Sequence, residues 1–361
     1  LTFFPLPFLK SFGYAGVSVV ALAVVGAIFG LPPILAMMGK RINKGPVRKS
    51  AMTPKDDGRW ADTARFVMRR PVPIVLLSLI ALGIMAAPLQ NISFSQGDSR
   101  MLPASNPAAI ATAIQTERFP GQTGTPIEII TFDGANKVDA LNDYANRISQ
   151  VEGIVGVVPP QVIGDDVRIV AYQSMLPRTP ESQKLIHDLR DVKAPAGTLI
   201  GGVAADYTDS QDGISRTLPW AFGWIAISVL LLVFVFTGSI ILPIKAVLLN
   251  VLSLAATMGV LTWVFIDGNL QWLVGSFTVT GSLDTSIVIL IAVVVFGLSM
   301  DYELFLLSRI REEHIAGKSN VESVATGLQR SARIITAAAV LLAVVFAAFV
   351  TSGVTSIKSM G

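Results

Sequence analysis

Residues 295–314, VFGLSMDYELFLLSRIREEH, place three residues capable of proton chemistry inside an otherwise apolar stretch. Asp301, Tyr302 and Glu303 interrupt the hydrophobic run, and the next charged residue is Arg309. At about 1.5 Å per helical residue, Asp301 would lie about 12 Å from Arg309 and therefore well inside the hydrocarbon. A charged carboxylate there costs at least about 2.5–3.5 kcal/mol. A residue this costly is expected to have a function.

Two interpretations of Asp301 follow from its position. A protonated Asp301 could serve as a hydrogen-bonding residue between packed helices, or it could take up and release a proton in a relay. Tyr302 lies about 100° further around the helix and can donate or accept a hydrogen bond while neutral. Gly297, one turn earlier, leaves room for a neighbouring helix or a water. Glu303 is either a second proton group or the partner of a basic residue.

The composition is that of a membrane protein. Hydrophobic residues make up 52% of the 361 residues, charged residues 15%, and the mean hydropathy is +0.61. The chain has no cysteine and its two histidines are far apart, so we expect no metal site and no cofactor. It contains no GxxxxGK[ST] pattern, so ATP is not its expected energy source. No pattern for catalysis is apparent, and we expect a protein that is not an enzyme.

Six segments are long and apolar enough to span a bilayer, at about 12–38, 72–89, 218–237, 242–266, 285–307 and 334–352. Residues 40–70 hold ten basic and three acidic residues, and residues 308–333 are also rich in Arg and Lys. Such loops are cytoplasmic. Residues 90–217 hold ten basic and fifteen acidic residues and are expected to face outward.

The outward stretch is predicted to fold as a domain of its own. Its hydrophobic pattern indicates strands at 126–132, 154–158, 167–171 and 198–200, with helices at 136–150 and 180–190. This β-α-β-β-α-β order is that of the ferredoxin-like fold. A loop and a short helix at 97–120 precede it.

Other polar residues near the spans have less specific patterns. We interpret Asn250, with Ser253 and Thr257, as interhelical hydrogen-bonding residues, and Asp284 as an acid at a helix N-terminus. Two groups are expected to be solvated. They are Asp206, Asp209 and Asp212 on the outer side and Glu312, Glu313 and His314 on the inner side. The pattern from Ser319 to Glu322 predicts a capping box that opens an amphipathic helix ending near Gln329 on the membrane surface.

Five motifs, in order, resemble the MmpL-type exporters of the RND superfamily. FGLSMDYELFLLSRIREE (296–313) is similar to that family's tenth-helix motif. The others are GGVAADYTD (201–209), FTGSIILPIKAVLLNVLSL (236–254), FTVTGSLD (277–284) and GLQRSARIITAAA (327–339). Residues 1–41 resemble the end of the family's first six-helix half.

The resemblance implies a proton-driven exporter of lipids or amphipathic compounds in the bacterial plasma membrane, with Asp301 and Tyr302 as proton relay residues. In the family, a matching Asp-Tyr pair lies in the first half. Since the chain starts at Leu1 without Met or a signal peptide, we expect part of a longer polypeptide and no transport by this chain alone. Alternatives are another RND branch, either a protein-translocation auxiliary or a sterol-type lipid carrier, or an inactive fragment.

The predicted organisation follows from these assignments. It comprises a transmembrane helix ending the first half (1–41), a basic cytoplasmic linker (42–70), a transmembrane helix (71–89), an extracytoplasmic porter-like α/β domain (90–217), three transmembrane helices (218–307), a cytoplasmic amphipathic connector (308–333) and a truncated transmembrane helix (334–361). The expected partners are the lipid substrate, the membrane, the first half and, in a homo-oligomer, a second copy. No nucleic-acid partner is expected.

Overall fold

The computed structural model describes residues 1–4, 6–39, 41, 56–119 and 126–361. In these residues, six helices are long and apolar enough to cross a membrane, and they confirm the six predicted spans. Each has the length of about 20 residues that the hydrocarbon requires. The chain is therefore a polytopic helical membrane protein. The six helices are Pro7–Met38, Pro71–Asn91, Val203–Thr237, Ile241–Ile266, Thr285–Ile315 and Asn320–Val350.

The first elements of the chain are helical, and two of them begin with proline, whose missing N–H would be unpaired in a first turn anyway. A π-helical turn, Gly26–Gly30, joins the two parts of the first span. Residues 42–55 of the predicted linker lie outside the described residues, and part of the remainder is a helix. These elements are α1 (Pro7–Val25), α2 (Leu31–Met38), α3 (Arg59–Arg69) and α4 (Pro71–Ala86).

Residues 90–217 contain the predicted strands and helices in the predicted order. Two elements come first, β1 (Phe94–Ser95) and α5 (Pro107–Arg118). The β-α-β-β-α-β unit then consists of β2 (Ile127–Thr131), α6 (Val138–Ile148), β3 (Ile154–Ile163), β4 (Asp166–Gln173), α7 (Pro180–Asp191) and β5 (Thr198–Gly201).

The four strands of this unit form one antiparallel sheet in the order β3-β4-β2-β5. Ile129 of β2 lies opposite Ile169 of β4 and Ile200 of β5. Since alternate residues of a strand point to the same face, Ile127 and Ile129 are buried together on one side of the sheet. One face of the sheet is therefore buried in a hydrophobic core.

Two helices cover that face. Leu141, Tyr144 and Ile148 of α6 are fully buried against the sheet, and α7 contributes Ile186 and Leu189 at a spacing of three residues. Each such side chain contributes about 1.5–3 kcal/mol by leaving water. The periodic apolar residues from which these helices were predicted therefore form part of the core of the unit.

The remaining elements complete the spans. They are α8 (Val203–Thr237), α9 (Ile241–Leu261), which continues as a π-helical turn (Thr262–Ile266), α10 (Gln271–Val274), β6 (Leu283–Asp284), α11 (Thr285–Ile315), α12 (Asn320–Val350) and α13 (Thr355–Lys358). The last span ends at Val350, close to the predicted end at about residue 352.

Helix α8 begins sixteen residues before Pro219, so the outer acidic residues are helical and continuous with the span. Gly202 permits this start. Its φ is +97°, and a Cβ there would lie 2.7 Å from the Pro126 carbonyl oxygen. Only glycine avoids both the backbone strain and this clash.

The predicted amphipathic connector at 308–333 is not a separate surface helix. Helix α11 extends to Ile315, the chain turns at Gly317 with φ +92°, and α12 runs without a break from Asn320 into the last span. The capping pattern was correctly placed, because the Glu322 backbone N–H donates to Ser319 Oγ at 3.3 Å. The helix does not end at Gln329, because residues 330–350 contain no glycine or proline that would break it.

Side chains from three spans form a small apolar cluster beside the candidate site. Val229 and Val233 of α8 and Ala246 of α9 are buried with Met300 of α11. Because Met300 precedes Asp301, this packing fixes the rotation of α11 at the position of the carboxylate.

Candidate functional site

Asp301 lies in the interior of α11, sixteen residues after the first residue of the helix. That separation is about 24 Å along the axis. Its side chain is exposed at the surface of the chain, and the part of the chain that the structure describes gives it no hydrogen-bond or ion-pair partner. The described residues of the chain therefore provide no polar partner for this carboxylate.

The packing of α11 turns Asp301 away from its neighbouring helices. Met300 and Leu304 pack in the apolar cluster, whereas Asp301 follows Met300 by about 100°. Gly297, one turn before Asp301, is also exposed, and no atom lies within 4 Å of where its Cβ would be. Gly297 and Asp301 thus lie on a side of α11 with open space, as the sequence predicted for Gly297.

Tyr302 is half-buried on the same helix. Its hydroxyl has no hydrogen-bond partner among the described residues. Adjacent side chains on a helix point about 100° apart, so the phenol and the carboxylate do not face each other directly. A proton passing between them would need a water or a group from another segment.

Glu303 is paired, which favours the second of its two expected roles. Its carboxylate lies 3.5 Å from Lys245 Nζ of α9. The Glu303 side chain is 17% exposed and the Lys245 side chain 51% exposed. The cation offsets the charge of the carboxylate, and the lysine head remains accessible.

Asn250 is buried in α9, with 2% of its surface exposed. Its Nδ2 donates to the Ala246 carbonyl oxygen at 3.0 Å and lies 3.5 Å from Met300 Sδ. The contact with Met300 agrees with the interpretation of Asn250 as a residue between helices. Its buried Oδ1 has no partner in the described part of the chain, so one acceptor remains available beside the residue that precedes Asp301.

Asp284 is at the N-terminus of α11, as its sequence position predicted. One carboxylate oxygen accepts from the backbone N–H groups of Ser286 and Ile287 at 2.9 and 3.2 Å. The other accepts from the Gly97 backbone N–H at 2.8 Å. The acid therefore caps the helix and also fixes it to a second segment.

The outer acidic group is solvated at Asp209, whose side chain is 61% exposed, but Asp209 and Asp212 also have partners that the sequence did not predict. Asp209 forms a two-pronged ion pair with Arg190, at 2.6 and 2.9 Å. Asp212 accepts from Gln183 Nε2 at 3.0 Å. Both partners lie on α7, a separate helix, so no local pattern indicated them. In the described residues, no group of three His, Cys, Asp or Glu side chains is arranged to hold a metal ion.

The expectation that the inner group of Glu312, Glu313 and His314 is solvated was wrong for Glu313. Its side chain is only 7% exposed and pairs with Lys318 at 2.7 Å and with Arg330 at 2.5 Å. Glu312 makes an exposed pair with Arg309 instead. Glu313 is buried because α12 folds back along α11, a contact that no local pattern specifies.

Comparison with known proteins shows the family to which this chain belongs. The family model described as MMPL matches residues 100–361. The chain is 34% identical to the membrane protein SCO6666 of Streptomyces coelicolor, over the whole chain and 50% of that protein.

Two named exporters are also similar. The trehalose monomycolate exporter MmpL3 of Mycobacterium tuberculosis is 30% identical over 99% of the chain and 42% of its own length. The mycolic acid-containing lipids exporter MmpL11 of Mycolicibacterium smegmatis is 31% identical over 98% and 39%. The chain spans half or less of the length of these relatives. With the family model covering most of its residues, the chain belongs to the MMPL family.

Proposed function

We propose that this chain carries the proton-relay helix of a proton-driven exporter of lipids or amphipathic compounds. Asp301 is the residue that takes up and releases the proton, and Tyr302 passes it on. The observation that carries this proposal is the exposed, unpartnered position of Asp301, among the described residues, inside a 31-residue apolar helix. A structural carboxylate at that depth would be expected to have a partner in the chain, because an unpartnered charge in hydrocarbon is costly.

The open side of α11 is consistent with a relay completed by another segment. No atom lies within 4 Å of where a Gly297 Cβ would be, and Asp301 is exposed. The half-length match to the relatives agrees with a first half that supplies it. Glu303, paired with Lys245, is assigned a supporting role in setting the local charge.

The β-α-β-β-α-β unit is proposed to be a ferredoxin-like porter domain on the outer side of the membrane. The strand order β3-β4-β2-β5 supports the ferredoxin-like assignment, because it places the first and third strands of the unit at the centre of the sheet. The asymmetry of Lys and Arg between residues 40–70 and 90–217 supports the orientation. The membrane is proposed to be the bacterial plasma membrane.

The lipid class rests on the relatives, two of which are named as exporters of mycolate lipids. We assign no catalysis and no cofactor to the chain, and a homo-oligomer is compatible with the proposal.

The experiment is gradient-driven export by the full protein in liposomes. An imposed pH difference is expected to move a fluorescent glycolipid across the membrane, and a protonophore is expected to stop it within the dead time of the assay. Export that continues at the same rate without the pH difference would contradict the proton-driven mechanism. A requirement for ATP would contradict it as well.

A further inference from the structure

The outer end of α11 is held by buried hydrogen bonds that the relay itself does not use. We call Phe94, Ser95, Tyr207, Gln211 and Thr285 the outer network. Gln211 Nε2 of α8 donates to Thr285 Oγ1 at 2.8 Å and lies 3.0 Å from Tyr207 Oη. Tyr207 Oη donates to the Phe94 carbonyl oxygen at 3.0 Å, and Thr285 Oγ1 donates to the Ser95 carbonyl oxygen at 3.0 Å.

Three of the five residues of this network are buried. Tyr207 and Ser95 are each 1% exposed and Thr285 is 8% exposed. A hydrogen bond in such a place is strong, and the loss of one partner leaves a buried polar group without compensation. One feature of the network is visible in the sequence, because Tyr207 and Gln211 are four residues apart and so lie on one face of α8.

A second connection joins the same helix end to β1 through the backbone. β1 pairs with β6 in parallel, with Phe94 opposite Leu283 and Ser95 opposite Asp284. Gly97 donates its N–H to the Asp284 carboxylate and accepts from Arg178 Nη1 at 2.7 Å. The start of α11 is thus fixed to β1 and to the residue that precedes the N-cap of α7.

We propose that Gln211, Tyr207 and Thr285 are positioning residues that couple displacement of α11 to α8 and β1. Thr285 is the first residue of the helix that carries Asp301, and a helix shifts along its axis as a unit. A shift produced by proton uptake at Asp301 would therefore displace Thr285. The side-chain bonds of the outer network then transmit the displacement to the first turns of α8, which follow directly on β5. This inference rests on the proposed function.

The test separates proton flux from lipid export. Thr285→Val keeps the shape of the side chain and removes the hydroxyl. In liposomes containing the full protein, we expect this variant to keep at least half of the proton flux while lipid export falls at least tenfold. The number of protons that cross per lipid therefore rises. The matched control is Thr217→Val, because the Thr217 hydroxyl bonds only to the Gly213 carbonyl oxygen of its own helix, at 2.8 Å. The control should keep the wild-type ratio.

Thr285→Ser restores the hydroxyl and should restore the ratio, which a simple packing role would not predict. An unchanged ratio in Thr285→Val, or an equal loss of both fluxes at normal abundance, would overturn the coupling role while leaving the proposed function in place. Absence of gradient-driven lipid export in the wild-type protein would overturn the proposed function, and this inference with it.

Discussion

The pair of Lys245 and Glu303 shows how a single contact changes the interpretation of a motif residue. Glu303 follows Tyr302 directly, and the sequence left two roles open for it. The structure places its carboxylate beside a cation on α9. The ion pair gives Glu303 a partner on a neighbouring helix, whereas Asp301 has none among the described residues.

Glu303→Gln should therefore reduce export less than a change at Asp301 does, and its main effect should be on abundance. It leaves Lys245 unpaired, at a cost of about 1 kcal/mol or less because the lysine is half exposed. The double variant Lys245→Met with Glu303→Gln should recover the abundance that the single variant loses. Quantitative immunoblotting of the membrane fraction measures this, and an additive loss in the double variant would contradict the pairing.

At the scale of elements, the contact between α11 and α12 depends on Glu313. This buried carboxylate offsets the charges of Lys318 and Arg330, which come from the turn and from α12. Removing Glu313 leaves these two cations with the exposed Asp56 as their remaining acidic partner.

Glu313→Gln is expected to lower the stability of the detergent-purified protein by about 1–2 kcal/mol, since both cations retain some exposure to water. Glu312→Gln, which breaks only an exposed pair with Arg309, should cost less than about 0.5 kcal/mol. Thermal unfolding of the two variants, side by side, gives the comparison. Equal effects would mean that the burial of Glu313 has no energetic consequence.

The outer unit offers a prediction on pH. A cross-strand hydrogen bond from Arg168 holds the pKa of Glu128 below its ordinary value. A lowered pKa contributes stability above the ordinary pKa of about 4.3, and this stability is lost as the pH falls through the lowered value. In residues 95–215 expressed alone, Arg168→Gln should lower the stability at pH 7 only slightly, because both side chains are partly exposed.

The difference between wild type and Arg168→Gln should disappear in acid, and urea unfolding at several pH values measures it. Arg147→Gln is the control, since Arg147 donates to the Lys193 carbonyl oxygen rather than to an acid. A difference that persists below pH 3 would contradict the pairing. The same isolated unit should be soluble with mixed α/β circular dichroism.

Sequence reasoning identified the elements better than their contacts. The six spans could be predicted because apolar length is a local property, and the six elements of the outer unit because their periods of 2.0 and 3.6 residues are local as well. The partners of Glu313 and Asp209 could not be predicted, because Arg330 and Arg190 lie on other helices and only the folded chain brings them near. The Asn250 contact with Met300 is of the same kind.

For the whole molecule, orientation is the first quantity to measure. Cysteines introduced at the exposed positions Ser105 and Ala316 of this cysteine-free chain should react from opposite sides of the membrane. The basic composition of residues 40–70 and 308–333 predicts that Ala316 lies on the cytoplasmic side. An impermeant maleimide in intact cells should label Ser105→Cys and not Ala316→Cys. Labelling of both would contradict the proposed topology.

The central claim is that Asp301 carries protons, and one substitution tests it most directly. Asp301→Asn keeps the size and much of the hydrogen-bonding capacity of the side chain but cannot ionise. In the full protein at equal abundance, we expect this substitution to lower gradient-driven lipid export by at least a hundredfold, while membrane insertion is unchanged. If Asp301 were only a packing residue, the asparagine would still form its hydrogen bond. Export by Asp301→Asn at the wild-type rate would contradict the relay.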